Sequence, residues 1–293
     1  MAVDQGPVVQ SAILRGELVR LRKDNGLTQG EVARALEWSP SKLIRIEGGH
    51  SSITKVDLDA LLNRYGVASV RDRERFQLLN RAARLRGWWH AYRDEIHAPY
   101  LKYVGYEAGA TFIRQFPGTV VPGLLQTAEY AEALTACTIE TAKVTPVVRL
   151  RLQRQTELAQ RADPPRQFYV LDEAVIRRHI GIETDPMIMP SQLRHIADEA
   201  ARNELMTVRL IPFSAGEHAG LSGAFTVLGF DGVLPDLLYL DTGKGEFADI
   251  TGEDPQVAEY AANFEVLLDR ALPESESIMF IRSAADEMCR ASR

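Results

Sequence analysis

Cysteine is scarce in this sequence of 293 residues, and the two that are present, Cys137 and Cys289, lie far apart. They match no metal-ligand spacing, and so few thiols are typical of a reducing compartment. Long apolar runs are also missing: no stretch reaches the ~18 consecutive apolar residues of a membrane-spanning helix, and no signal-type segment opens the chain. We therefore expect a soluble, cytoplasmic protein without a metal site.

Catalytic motifs are missing as well. Asp172 and Glu173 are adjacent, so their side chains diverge, and Asp172 is better interpreted as a helix cap. His195 and Glu199 share one helical turn, but no second histidine completes a zinc site. No Gly-x-Ser-x-Gly occurs, and the glycines at 243–245 lack the upstream glycine of a phosphate loop. We predict that the chain is not an enzyme and needs no cofactor.

Charge is unevenly distributed along the chain, which carries a net charge of −6. Residues 11–93 hold 16 Lys or Arg against 9 Asp or Glu, whereas residues 94–293 hold 18 against 30. A basic segment favours a polyanion and an acidic one does not. The sequence therefore predicts that nucleic-acid binding, if present, is confined to the first third of the chain.

Two short helices joined by a tight turn are predicted within residues 27–49. Thr28 is a suitable N-cap for the first, and Glu31 completes a capping box. Ser39 is a suitable cap for the second, with Pro40 at its first position. The apolar residues at helical spacing, which predict that the two helices pack on each other, are Val32, Leu36, Leu43 and Ile46.

The outer face of the second predicted helix carries Ser41, Ile44 and Arg45, with Lys42 on its flank. A helix that presents such a face, braced by the helix before it, is what a helix-turn-helix inserts into the major groove. The alternative is an ordinary helical hairpin with a solvated Lys/Arg face. By side-chain chemistry, Arg45 would donate to guanine or to a phosphate, and Ile44 would touch a thymine methyl.

Residues 11–67 resemble the XRE-type, lambda repressor-like helix-turn-helix family. The positions that match its pattern are Leu27, Thr28, Gln29, Glu31, Ala33, Ser39, Ile46, Glu47 and Gly49. The resemblance implies that Gln29 meets a phosphate, and Lys42 is expected to hold the DNA backbone with it. It further implies that Glu47 pairs with Arg22. The residues expected toward base edges are Ser39, Pro40, Ser41 and Arg45. Glu37 departs from the family pattern, which has glycine at this turn position.

Four segments are expected along the chain: a flexible arm at 1–10, the DNA-binding domain at 11–67, a basic connecting helix at 68–93 and a signal- or partner-binding domain at 94–293. The expected fold class is an all-α first domain followed by an α+β second domain. In the second, helices are predicted at 106–115, 123–136, 142–162 and 254–272. Strands are predicted at 167–171, 207–213, 224–230 and 237–241.

Several stretches of the second domain resemble the WhiJ-like actinobacterial regulators. These stretches are 121–127 with Tyr130 and Ala131, 154–155, 172–174, 211–213 and 223–226. The resemblance implies a transcriptional regulator whose large domain receives a signal, with a small BldB-like protein as the usual partner, and some members are described as antitoxin-like. Candidate partner or dimer contacts are Trp88, Trp89, Arg149, Arg151 and Arg154.

The sequence analysis therefore predicts a dimeric DNA-binding regulator, a repressor, on a palindromic operator of double-stranded DNA, without membrane association. One alternative is an antitoxin-like protein that only autoregulates. Another is a small-molecule sensor in which Phe213, His218, Phe225 and Tyr239 line a pocket; the same four residues would equally fill a core.

Overall fold

The computed structural model describes residues 6–232, 234–241, 247–251 and 254–291. The chain divides into two compact units, with the boundary between His90 and Ala91. Within the described ranges, no helix combines the length and apolar character needed to cross a lipid bilayer.

The described part of the first unit is helical. Its helices are α1 (Gly6–Asp24), α2 (Gln29–Ala35), α3 (Pro40–Glu47), α4 (Lys55–Arg64) and α5 (Val70–Ala83). They enclose one apolar core, because each helix turns a buried face inward. The core residues include Leu18, Val32, Leu43, Leu61 and Phe76.

Two boundaries in this unit differ from the prediction. The arm expected at 1–10 is wrong for residues 6–10, which form the start of α1 and bury Val9; residues 1–5 lie outside the described residues. Gly6 and Pro7 suggested a break, but proline is tolerated in the first turn of a helix, where its missing N–H has no partner to lose.

The basic connecting helix expected at 68–93 is also wrong as a connector. The helix α5 ends at Ala83, and Phe76 lies in the core of the first unit. The face of α5 that packs on α1 holds the helix within this unit, while its arginines lie mainly on the outside. A short 3₁₀ helix, Trp88–Tyr92, follows.

The second unit is built on a mixed sheet. Its strands are β1 (Phe112–Phe116), β2 (Arg166–Asp172), β3 (Met206–Ile211), β4 (Phe225–Gly229), β5 (Leu237–Asp241) and β6 (Phe247–Thr251). They lie in the order β3-β2-β1-β4-β5-β6. The pairs β1–β2 and β2–β3 are parallel, whereas β1–β4, β4–β5 and β5–β6 are antiparallel. The strand β1 is therefore where the sheet changes direction.

Helices cover this sheet. They are α6 (Ala98–Glu107), α7 (Ala128–Ala136), α8 (Thr141–Ala159), α9 (Glu173–Arg177), α10 (Ile188–Arg202), α11 (Pro255–Arg270) and α12 (Glu274–Ala291). One core cluster lies between the sheet and α11 and includes Phe116, Val170, Phe225 and Phe264. The protein thus has an all-α unit followed by an α+β unit, which confirms the predicted fold class.

The helix predicted at 106–115 is wrong, because residues 112–116 form β1. Ile113 and Phe116 are both buried, and their spacing of three positions also suits a helix. The strand is decided by partners far away in sequence: Ile113 lies opposite Gln167 on β2 and Leu228 on β4. The four predicted strands are confirmed, whereas β6 was not anticipated. The glycine segment at 243–245 lies outside the described residues.

Candidate nucleic-acid interface

The helix α2 begins with a complete capping box. The Glu31 backbone N–H donates to Thr28 Oγ1 at 3.2 Å, and the Thr28 backbone N–H donates to Glu31 Oε2 at 2.8 Å. These two groups would otherwise lack helical partners. Hydrogen bonds from the Thr28 backbone and hydroxyl lower the pKa of Glu31 below its ordinary 4.5. The start of α2 is therefore fixed by local sequence.

The turn between α2 and α3 passes through Glu37 in the left-handed region, with φ of 56°. This is the position at which the sequence departs from the family's glycine, so a side chain is accommodated at a strained conformation. The Glu37 N–H donates to the Arg34 carbonyl at 3.2 Å, and the Trp38 N–H donates to the Ala33 carbonyl at 2.8 Å. These bonds close the turn and set the direction of α3.

The two faces of α3 differ sharply. Leu43 is fully buried and Ile46 is 4% exposed, so this face packs into the core. On the opposite face Ile44 is 50% exposed, and Ser41 and Arg45 are exposed as well. Single exposed apolar side chains are common in this structure, so Ile44 identifies the outward face of α3 but does not by itself mark a contact surface.

In the part of the chain that the structure describes, two polar side chains on the outer side of α3, Ser39 and Arg45, make no hydrogen bond or ion pair that holds the helix. Ser39 is the N-cap, but its hydroxyl makes no bond to the helix N–H groups and lies 3.2 Å from Ser41 Oγ. Arg45 has no carboxylate within ion-pair distance among the residues that the structure describes. The Arg45 guanidinium can therefore meet an external partner without breaking an ion pair, and the Ser39 hydroxyl can do so without removing a cap from α3.

Arg22 and Glu47 form the ion pair that the sequence analysis expects. Arg22 Nε lies 2.7 Å from Glu47 Oε1, and its second nitrogen lies 3.1 Å from Oε2. The pair is mostly buried, and the carboxylate raises the pKa of Arg22. Gln29 donates one N–H to the same carboxylate at 2.7 Å. A side-chain amide has two N–H groups, so one N–H of Gln29 remains for the expected contact with a phosphate.

Lys42 is placed differently from its expected role on the DNA backbone. Its ammonium lies 2.6 Å from Asp57 Oδ1 and 3.9 Å from the centroid of the Trp38 ring. The charge is thus neutralised within the unit. Lys55, at the first position of α4, is exposed and has no ion pair within the described ranges. The sequence predicts neither the Lys42–Asp57 pair nor the role of Lys55. Fifteen positions separate Lys42 from Asp57, so no local pattern links them.

Comparison with protein families assigns the larger part of the chain. Residues 100–283 match the model of a domain of unknown function, DUF5753. The chain belongs to the DUF5753 family. Ahead of the DUF5753 domain, residues 13–76 match a helix-turn-helix domain, a range that contains α2, α3 and α4. The first unit is accordingly a helix-turn-helix unit of the kind found in DNA-binding regulators. No curated protein and no solved structure matches the chain.

The arginines of the DUF5753 domain named as partner candidates have different surroundings. Arg154 is 5% exposed and forms a bidentate pair with the buried Glu107, with nitrogen–oxygen distances of 2.8 and 2.5 Å. It is therefore a core residue and cannot be a surface contact. Arg149 is exposed and lies 3.3 Å from Glu95. Arg151 is half-buried and bonds only to neutral oxygens.

The two tryptophans named as partner candidates sit in the 3₁₀ helix. Their rings lie edge to face, with centroids 5.7 Å apart. Trp89 is 8% exposed and Trp88 is half-buried. Trp89 is thus unavailable as a surface contact in the form that the structure describes.

The four residues considered for a pocket are separated by the structure. Phe225 and Tyr239 line a cavity of about 430 Å³ in the DUF5753 domain. Phe213 is 59% exposed, and His218 bonds to Asp172 Oδ2 at 3.0 Å while its ring packs on Phe116. The pocket and core alternatives therefore each hold for part of the set.

Proposed function

We propose that the chain is a sequence-specific, DNA-binding transcriptional regulator in which α3 enters the major groove. The observation that carries the proposal is the two-faced character of α3, with Leu43 and Ile46 in the core and Ile44 and Arg45 presented outward. The helix-turn-helix match over residues 13–76 supports DNA binding independently.

The chemistry of the outward face gives each residue a role. The Arg45 guanidinium suits bidentate donation to guanine, and the Ile44 side chain suits contact with a thymine methyl. Ser39 and Ser41 supply hydroxyls that donate or accept, and Pro40 brings the start of α3 close to the DNA. Their combination would read a short half-site.

Backbone contacts would fix the register of the unit on DNA. The second N–H of Gln29 remains suited to a phosphate at the start of α2. We assign the phosphate contact beside α3 to Lys55 and no longer to Lys42. The Lys42 ammonium is held by Asp57, whereas Lys55 is exposed. This revision is testable through the salt dependence of binding.

We further propose that the protein represses transcription as a homodimer on a palindromic operator, since one such unit contacts few base pairs and two-fold symmetry doubles the half-site. We place it in the WhiJ-like group, as a non-enzymatic cytoplasmic protein without a cofactor. Its DUF5753 domain would receive the regulatory signal. An antitoxin-like protein that binds a BldB-like partner is the second candidate, favoured by the resembling stretches in that domain.

The experiment is genome-wide mapping of bound sites, followed by competition binding to the operator and its single-base variants. Arg45→Ala should weaken operator binding by about 1–3 kcal/mol and relax preference at one base position per half-site. The control is Arg202→Ala, which removes an exposed arginine from the DUF5753 domain. Unchanged base preference in Arg45→Ala would refute the groove assignment.

A further inference from the structure

The cavity in the DUF5753 domain has a volume of about 430 Å³, within the usual range for small-molecule sites. Its walls come from α6, the end of α7, α8, and strands β4 and β5. Val121, Pro122, Gly123 and Gln126, within one of the stretches that resemble the WhiJ-like regulators, form a further wall. The structure thus brings together, around one space, residues that lie far apart along the chain.

The wall at 121–126 is held rigidly by side-chain amides. Gln155 on α8 donates to the carbonyls of Gly123 and Gln126, at 3.0 and 2.9 Å. Gln126 in turn donates to the Val121 carbonyl at 2.7 Å and is 2% exposed. A wall fixed by buried hydrogen bonds is preformed, which lowers the cost of ordering on binding.

Arg151 is the charged group that distinguishes this cavity. Its Nη1 donates to Gln126 Oε1 at 3.2 Å and to Thr135 Oγ1 at 2.9 Å. Both acceptors are neutral, and within the described ranges no carboxylate lies within ion-pair distance. Its Nε and Nη2 make no bond to the residues that the structure describes. The guanidinium is therefore oriented by one nitrogen while its other edge is open to a planar anion.

The other charges that line the cavity are already balanced. Arg154 is paired with Glu107, Glu95 with Arg149 at 3.3 Å, and Lys143 with Glu140 at 3.2 Å. Burial lowers the pKa of His97, whose Nδ1 accepts from the Tyr100 N–H, and this favours the neutral ring. The cavity consequently carries one unbalanced positive charge, on Arg151.

Flat apolar surfaces face the same space. Tyr100 and Tyr103 are stacked with centroids 6.0 Å apart, and the Tyr239 ring on β5 lies 4.1 Å from the Tyr103 ring, centroid to centroid. The Arg154–Glu107 pair holds both tyrosines: Arg154 donates to Tyr100 Oη at 2.5 Å, and Glu107 accepts from Tyr103 Oη at 2.9 Å. Rings fixed in this way provide a ready surface for a planar ligand.

We propose that the DUF5753 cavity binds a small aromatic carboxylic acid. Its carboxylate pairs with the open edge of Arg151, and its ring system lies against Tyr100, Tyr103 and Tyr239. The regulatory meaning of this ligand rests on the proposed function, in which the second domain receives the signal. The binding itself stands on the cavity alone.

The test uses the full chain and calorimetric titration with three probe types: naphthoate and biphenylcarboxylate, their neutral carboxamides, and a peptide ending in phenylalanine. At least one free acid should bind at least about tenfold more tightly than its amide, which corresponds to ~1.4 kcal/mol. Equal binding of acid and amide, or binding of neither, overturns the proposal. Tighter binding of the peptide would assign the cavity to a protein C-terminus and also overturns it.

Matched variants locate the site. Arg151→Gln should remove the preference for acid over amide, whereas Arg202→Gln, which changes an exposed arginine on α10 outside the cavity, should leave it intact. Val147→Trp keeps Arg151 in place but fills the cavity from the same face of α8, one helical turn away, and should abolish binding of acid and amide alike. It keeps the proposal open to refutation if Arg151→Gln fails to fold, and retained binding in folded Val147→Trp contradicts the site.

Operator binding by the same preparations separates the two proposals. A chain that binds operator but no aromatic acid refutes the cavity ligand and leaves the regulator intact. A chain that binds the acid with the Arg151 dependence but binds no DNA refutes the regulator and leaves the cavity ligand intact. Where both bind, the acid should change operator affinity in the native chain and leave it unchanged in Arg151→Gln.

Discussion

Lys42 on α3 and Asp57 on α4 are joined by an ion pair of 2.6 Å. The pair ties the recognition helix to the helix that follows it, and Trp38 covers the ammonium from the other side. A cation held in this way has its charge balanced before DNA arrives. The lysine therefore orients α3, and under the proposed function the contact with a DNA phosphate is assigned to Lys55 instead.

The first prediction concerns salt. Lys55→Met should reduce the slope of log affinity against log salt by about 0.9, the value for one lost phosphate contact. Lys42→Met should leave the slope unchanged while lowering affinity through a looser α3. Operator binding measured across salt concentrations checks both variants. A flatter slope in Lys42→Met but not in Lys55→Met would restore Lys42 as the phosphate contact.

The second prediction concerns the turn at Glu37. Glycine adopts a positive φ without strain, so Glu37→Gly should stabilise the first unit by about 1 kcal/mol. Hydrogen exchange of the α4 amides in the full chain measures the free energy of unfolding of the first unit. Arg34→Gly, three residues earlier and within α2, is the matched control and should destabilise. Faster exchange in Glu37→Gly would show that its side chain contributes more than the strain costs.

The third prediction concerns the carboxylate shared by Arg22 and Gln29. Glu47→Gln keeps the shape but leaves the largely buried Arg22 guanidinium uncompensated, and we expect a loss of about 3 kcal/mol in the stability of the first unit. Denaturant unfolding combined with exchange of the α1 amides measures it. Glu74→Gln, an exposed carboxylate on α5, serves as control. A loss no larger than in that control would show that the pair is dispensable.

The fourth prediction concerns pH. The pKa of Glu31 is lower in the folded protein than its ordinary 4.5, so its stabilising contribution is complete above pH 4.5 and is lost as pH falls through the folded pKa. Protection of the α2 amides, corrected for intrinsic exchange, should decline in that window. Glu31→Gln should flatten this dependence. If the protection of the α2 amides declines equally in Glu31→Gln, the pH dependence arises from a different titratable group.

Local signals explain what the sequence predicted well. Thr28 and Glu31 meet within one helical turn, and Leu43 and Ile46 define a face by spacing alone. Non-local contacts explain what was missed. Asp57 meets Lys42 only once α4 has packed, and Ile113 becomes part of a strand only because β2 and β4 flank it. The cavity is lined by segments that are far apart along the chain, so no single stretch of sequence predicts it.

The position of β1 has a consequence for biosynthesis. It emerges from the ribosome before either neighbour, and its second edge stays open until Phe225–Gly229 has been translated. The first unit is complete within Met1–His90 and can assemble on the nascent chain well before that. The exposed edge invites pairing with other chains. Chaperone protection during synthesis should therefore matter for the DUF5753 domain far more than for the segment that precedes it.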